Sequence, residues 1–290
     1  MIARTTGLVL MALSTVAAAD QLDTITRQFP RRGERVVHIE LNLGAGQVFL
    51  FRGLRDLAAD VRVMFDQDKH TATVTYEKID SEEGKLTLTS RRRKDTILRH
   101  FDLRASRENI WRVELSPRIA YTVQGNLGAV SGELDMTGLP IDGLDLDIGA
   151  STLSILFNEK NPGHIPRMRI DAGASRLTLK GLGNAHFDRL DLNGGAGQFT
   201  LDFAGDLDHH AAVELSVGVG TITLAIPQTV GAHIEASDGV LSSVTLEGDF
   251  KEVREDEYQN QSHGKTKGQL EIDLDAALGG VTIKEIEEED

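Results

Sequence analysis

An internal repeat limits the fold of this chain more than any other feature of its sequence. LDLDIGASTLSILF (144–157), MRIDAGASRLTLKG (168–181), LDLNGGAGQFTLDF (190–203) and VELSVGVGTITLAI (213–226) align without gaps on Gly149, Gly173, Gly195 and Gly218, at spacings of 24, 22 and 23 residues. IELNLGAGQVFLFR (39–52) fits the same frame around Gly44, and the stretch around Gly128 fits it loosely. LEIDLDAALGGVTI (270–283) fits with Asp275 at the anchor and Gly279-Gly280 after it.

Within each unit the apolar residues alternate with period 2: Leu144, Leu146 and Ile148 before the glycine, then Leu153, Ile155 and Phe157 after it. Such alternation specifies a half-buried strand on either side of the anchor. The Gly-small-small turn between them allows φ > 0 and lets successive turns stack closely. No unit can bury its apolar face alone, but units stacked at about 4.7–4.9 Å share one continuous core. A sandwich of antiparallel hairpins is the alternative arrangement for the same pattern. The regular period favours an all-β, single-domain, β-solenoid-like stack of strand–turn–strand repeats, 21–24 residues each, with end-capping loops.

Two stretches leave the frame. Residues 55–118 hold VRVMF, TATVTY, KLTLTS and WRVEL, which read as strands capping the first end. Residues 247–268 are polar and read as a long loop or short helix over the other end, where exposed strand edges need a cover. The organisation expected is a signal peptide (1–19), an N-terminal extension (20–35), an N-terminal β region (36–118), the repeat region (119–286) with its polar insertion, and an acidic tail (287–290).

The run from Trp111 to Leu153 resembles the core of the bacterial toast-rack domains, which occur in response proteins to cell-wall-active antibiotics. The residues that carry the likeness are Trp111 with its alternating apolar neighbours, Leu134-Asp135-Met136 leading to Gly138-Leu139, and Gly149-Ala150. IELNLGAGQVFLFRG is similar to the opening strand pair of that family, and EYQNQSHGKTKGQLEIDLDAALGGVTI to its closing unit. The likeness covers roughly residues 36–286, and related Gly-Ala-Gly repeats occur in adhesin-like solenoids. It implies a stacked all-β fold in the cell envelope, a link to envelope stress, and no established catalytic residues.

Composition narrows the function. The whole chain carries a net charge of −14, which repels phosphate backbones and disfavours nucleic acid. Aromatics are 5% of the chain, too few for a stacking platform, and Cys is zero, which excludes disulfides and thiolate chemistry. Residues 1–19 carry Arg4, an apolar run from Gly7 to Val16 and Ala17-Ala18-Ala19 before Asp20, the pattern of a secretory signal. That run is too short to span a bilayer and no later segment is long enough, so export to the periplasm, cell surface or medium is expected.

Few residues suggest chemistry. Asp145, Arg169, Asp191 and Glu214 form one outward column, with a charge ladder expected at Arg169. Asp147 and Asp171 face each other in the next column, either solvated or bridged by a cation such as Ca²⁺. Ser154, Thr178, Thr200 and Thr223 form a hydroxyl row, which reads as ordinary surface-strand residues. GGAGQFTLD (194–202) is no calcium roll, because an inward Phe199 stands where that repeat needs Asp. His209-His210 beside Asp206 and Asp208 lack a third ligand by spacing, and His164, His186 and His263 read as solitary. Asn260-Gln261-Ser262 is a glycosylation sequon. Arg91, Arg92, Arg93 and Lys94 form the strongest basic patch, suited to anionic envelope polymer or lipid headgroups, or else a solvated loop.

No catalytic residue, cofactor site or metal ligand set emerges. The reading is a non-enzymatic envelope module, scaffold or adhesin-like, that binds a surface polymer or partner protein. The alternative is a β-helix polysaccharide lyase, which would draw on Asp147, Asp171 and Arg169.

Overall fold

The computed structural model describes residues 22–93, 109–237 and 241–287. The expected signal segment, Lys94 and residues 288–290 lie outside these. The first strands are β1 (Asp23–Pro30), β2 (Val36–Arg52), β3 (Leu57–Phe65), β4 (His70–Lys78), β5 (Glu83–Arg92) and β6 (Asn109–Leu115). The repeat region follows as β7 (Ala120–Asp135), β8 (Ile141–Ile148), β9 (Thr152–Leu156), β10 (Ile165–Lys180), β11 (Phe187–Asp202), β12 (His210–Pro227), β13 (Gly231–Ser237) and β14 (Leu241–Glu247). β15 (Lys251–Arg254), β16 (Glu257–Gln259) and β17 (Gln269–Ile286) are the remaining described strands.

The coils stack in parallel, so the fold is a solenoid and not a hairpin sandwich. Ile170 on β10 pairs with Leu146 on β8 and Leu192 on β11, and Leu192 pairs with Leu215 on β12. All four are almost wholly buried, as are Leu153, Leu177, Phe199 and Ile222 from the second arms. Each such side chain contributes about 1.5–3 kcal/mol on leaving water. One core therefore runs the length of the stack between the two rows of arms. Trp111 lies fully buried at its N-terminal end, its indole N–H donating to Asn109 Oδ1 at 2.9 Å.

Several long strands, β10 among them, run through the anchor without a break. The turn glycines divide their work in a way the repeat alone does not reveal. The anchors are needed for close approach: a Cβ on Gly128 would lie 2.3 Å from the Gly44 carbonyl oxygen, and one on Gly149 2.6 Å from that of Gly128. Positive φ occurs two residues later, at Gly46 (136°) and Gly197 (152°). The last unit is also shifted by two residues from the frame expected. Ser216 pairs with Asp275 and Gly220 with Gly279, which puts Ala277, not Asp275, opposite the Gly218 anchor.

Stacking departs from chain order at both ends. β2 pairs with β7 on one side and with β5 and β6 on the other, so β3 to β6 fold back as the first cap. At the far end β17 enters between β12 and the pair β13–β14, parallel to both. The polar insertion is neither a plain loop nor a helix: β15 and β16 form an antiparallel hairpin, and β16 covers the edge of β13. Antiparallel strands cap the first end too, β4 on β5 and β3 on β6, with β1 outside β3. Strands rather than loops do this because an edge row of N–H and C=O groups is satisfied by another strand.

Candidate functional site

The stacked anchors make a trough on the surface. Gly44, Gly128, Gly149, Gly173 and Gly195 floor it, and the groove, about 850 Å³, crosses five coils. With no side chains on its floor, the backbone itself is exposed along this line.

One wall is polar. Two residues before the anchors stand Asn42, Asn126, Asp147, Asp171, Asn193 and Ser216, adjacent on successive coils. The Asn126 amide donates to Asn42 Oδ1 at 3.1 Å, and the Asn193 amide donates to Asp171 Oδ1 at 2.7 Å. Asp147 and Asp171 are neighbours as expected. Their repulsion is met from the protein, because Arg169 donates to Asp171 Oδ2. The Asn193 carboxamide and then the Arg169 guanidinium hold the Asp171 carboxyl below the usual carboxylate range.

Past the anchor line, outside the groove itself, runs an apolar ledge. The residues after the anchors, Ala45, Ala129, Ala150, Ala174 and Ala196, lie side by side and continue into Val219 and Leu278. Val219 is 50% and Leu278 40% exposed, two of the few large apolar side chains on the surface among the described residues.

The basic patch sits at the N-terminal mouth of this trough. Ser90 pairs with Leu43, so Arg91 and Arg92 follow at the level of the Gly44 corner, exposed like Arg93. Of the four residues singled out from the sequence, Lys94 lies outside the described residues.

The expected charge ladder is rearranged. Arg169 is in register with Asp145 and Asp191 but turns to Asp171 on its own strand. The buried Asp191 is instead held by Arg167 and by Arg189, the latter at 2.6 Å, and Arg189 also reaches Glu214. The hydroxyls of the Thr178 row stand on adjacent strands beyond the corner.

The histidines are not solitary. His164 and His186 have ring centroids 5.0 Å apart, and His186 and His209 5.5 Å, in a column along the opposite corner. His186 donates through Nδ1 to the Gly163 carbonyl at 2.7 Å, and His209 through Nε2 to the Phe187 carbonyl at 2.8 Å. Their spacings of 22 and 23 residues match the repeat, a signal legible in the sequence once histidines are searched at that period. The sequon is spent structurally. Asn260 is buried, donating to the Val230 carbonyl at 2.8 Å and accepting from the Ala232 N–H at 2.9 Å.

The model of the N-terminal domain of toast_rack, DUF2154, matches residues 18–165 and 161–225. This chain belongs to the toast-rack family. No curated protein matches it. Solved structures similar to this toast-rack chain include a proposed cell adhesion protein from Clostridium sporogenes, with 18% identity and a TM-score of 0.47, covering 92% of this chain and 100% of that one. A proposed adhesin from Bacteroides fragilis shares 12% identity at a TM-score of 0.38, covering 91% of this chain and 97% of its own. A proposed lipid binding protein from Parabacteroides distasonis shares 9% identity at 0.32, covering 92% and 97%. Among the described residues of the toast-rack chain, no helix is long and apolar enough to cross a membrane.

Proposed function

We propose that this toast-rack protein is an exported, non-enzymatic, adhesin-like module of the cell envelope that holds an extended glycan along the glycine trough. The observation that carries the reading is the repeated corner: an amide and carboxylate row lining the groove and, just past the anchor line, a mostly exposed alanine ledge. A polysaccharide presents hydroxyls and C–H faces at regular intervals, and the polar wall suits the first as the ledge suits the second. Without aromatic platforms each coil contributes little. Repetition along five coils supplies the affinity, in the manner of linked weak sites.

The acidic wall, in a chain of net charge −14, disfavours anionic polymers over the trough. The mouth differs, and Arg91, Arg92, Arg93 and Lys94 are the proposed contact for an anionic segment of the same polymer. At a Debye length of about 8 Å this local charge acts independently of distant carboxylates.

A glycan array followed by co-sedimentation with envelopes tests the reading. The parent should bind, and Ala150→Glu with Ala174→Glu, which put charge on the exposed ledge beside the groove while leaving the core untouched, should abolish binding. Changing the four basic residues to Ser should remove only the salt-sensitive part. Binding unaffected by the two glutamates would end the trough assignment, and turnover of a bound glycan would favour the lyase alternative.

A further inference from the structure

The entry of β17 beside β13 brings together side chains that are far apart in the sequence. His233 pairs across strands with Glu271 on β17 and Gln259 on β16, and Glu235 pairs with Glu257. His233 and Glu235 are two residues apart on one strand and so share a face. One ligand atom each from His233, Glu235 and Glu271 lie within 4.8 Å of one another.

The histidine is poised unusually. Its Nδ1 lies 2.7 Å from Glu271 Oε1, and its side chain is only 14% exposed. Its Nε2 is shut off from solvent without a hydrogen-bond partner. The carboxylate facing that atom, Glu257 Oε2, stands 3.9 Å away, too far for a hydrogen bond. The His263 ring lies 5.5 Å off, and its Nδ1 is likewise buried without a partner. Buried polar atoms are seldom left unmatched, and two imidazole nitrogens are so left at one spot.

We propose that His233, Glu235 and Glu271 form a zinc site that clamps β13 to β17. Zinc would take the place of the proton between His233 Nδ1 and Glu271, with Glu235 as third ligand and a fourth position for water. The Glu257 carboxylate, 3.9 Å away, would then close on the Nε2–H, the arrangement in which a metal-bound imidazole gives its other N–H to a carboxylate. One imidazole and two carboxylates match zinc in number and kind, whereas calcium needs six to eight oxygens. The location gives the clamp a purpose. It crosses the joint where the stack leaves chain order, in a chain that has no cysteine to close that joint by a disulfide.

The test uses the full chain and Zn²⁺ alone. Competition against a chromophoric chelator should show one zinc per chain, with affinity falling at least about 10-fold in His233→Gln, Glu271→Gln and Glu235→Gln. Zinc should raise the melting temperature of the parent and not of His233→Gln. Long-range ¹H–¹⁵N spectra of the parent need no variant: zinc should move the Nδ1 resonance of His233 and leave Nε2 protonated. The proposal fails if the parent takes up no zinc at micromolar concentrations, if His233→Gln binds as the parent does, or if the shifted resonances belong to the His164, His186 and His209 column.

Discussion

Gly132, in register with Val48 and Leu153 on the second arms, shows how narrow the backbone tolerances are between coils. Its φ is 145°, and an added Cβ would stand 1.8 Å from the Val48 carbonyl oxygen. Gly132→Ala should therefore destabilise the fold by more than ~1 kcal/mol, while Gly280→Ala, whose nearest new neighbour is 3.8 Å away, should stay within about 0.5 kcal/mol. Urea denaturation of the two variants checks the contrast. Asp171 makes a second prediction. Its folded pKa is depressed by Asn193 and Arg169, so its stabilising contribution is complete above the unfolded value near 3.9 and fades as pH falls through the lower folded value. The stability gap between parent and Asn193→Ala should thus be widest above pH ~4 and shrink below it, measured by denaturation at a series of pH values. At this scale much was legible: Gly149, Gly173 and Gly195 announced the closely stacked corners, because each coil needs a bare backbone at the same place, although not the trough those corners form. The alanine ledge passed unnoticed because a lone exposed alanine carries no chemical signal, and only adjacency across coils makes it a surface.

Among the elements, the return corners depend on side chains that stand in for strand pairing. Asn161 is buried and accepts from the Ile141 N–H at 2.9 Å while donating to the carbonyls of Ile141 at 2.8 Å and Ala185 at 2.9 Å. Asn161→Ala leaves these groups unmatched, at about 1–3 kcal/mol each. A loss of at least ~2 kcal/mol is expected, with faster hydrogen exchange at Ile141 as the local readout. The strands themselves followed from alternation, which names the inward residues directly. The alignment of β17 did not, for a reason of geometry. A strand slipped by two residues keeps the same side chains inward, so Asp275 and Ala277 are equally acceptable anchors by pattern. Only hydrogen-bond register separates them. The first cap was legible as strands, from the alternation in VRVMF, TATVTY, KLTLTS and WRVEL, whereas the hairpin of β15 and β16 was not, because the pairing partner of so polar a segment is set by which edge the stack leaves open.

For the molecule as a whole, stability should behave as a sum of neighbouring coils, since each coil touches mainly the next. Leu192→Ala, in mid-stack, should cost ~2–5 kcal/mol and lower protection most in β10, β11 and β12. Removing residues 269–290 should act differently. It takes away the partner of both β12 and β13, so hydrogen exchange should rise across β12 to β14 while β2, β7 and β10 keep their protection. Uniform loss of protection would mean that the stack folds only as one unit. The candidate zinc ligands belong to this scale, because His233 and Glu271 meet only through that non-sequential joint, which no local pattern encodes.

The same joint sets an order in time. β12, β13 and β14 leave the ribosome before β17 exists, and the parallel partner that both sides require is made after all three. At about 5–20 residues per second the wait between completing β14 and completing β17 is roughly 2–8 s. Through that interval the end coil has no neighbour on its inner side, and two unpaired edges face each other across a gap one strand wide. That missing strand acts as a keystone, and a chain halted or clipped before β17 would present both edges to whatever strand it met first.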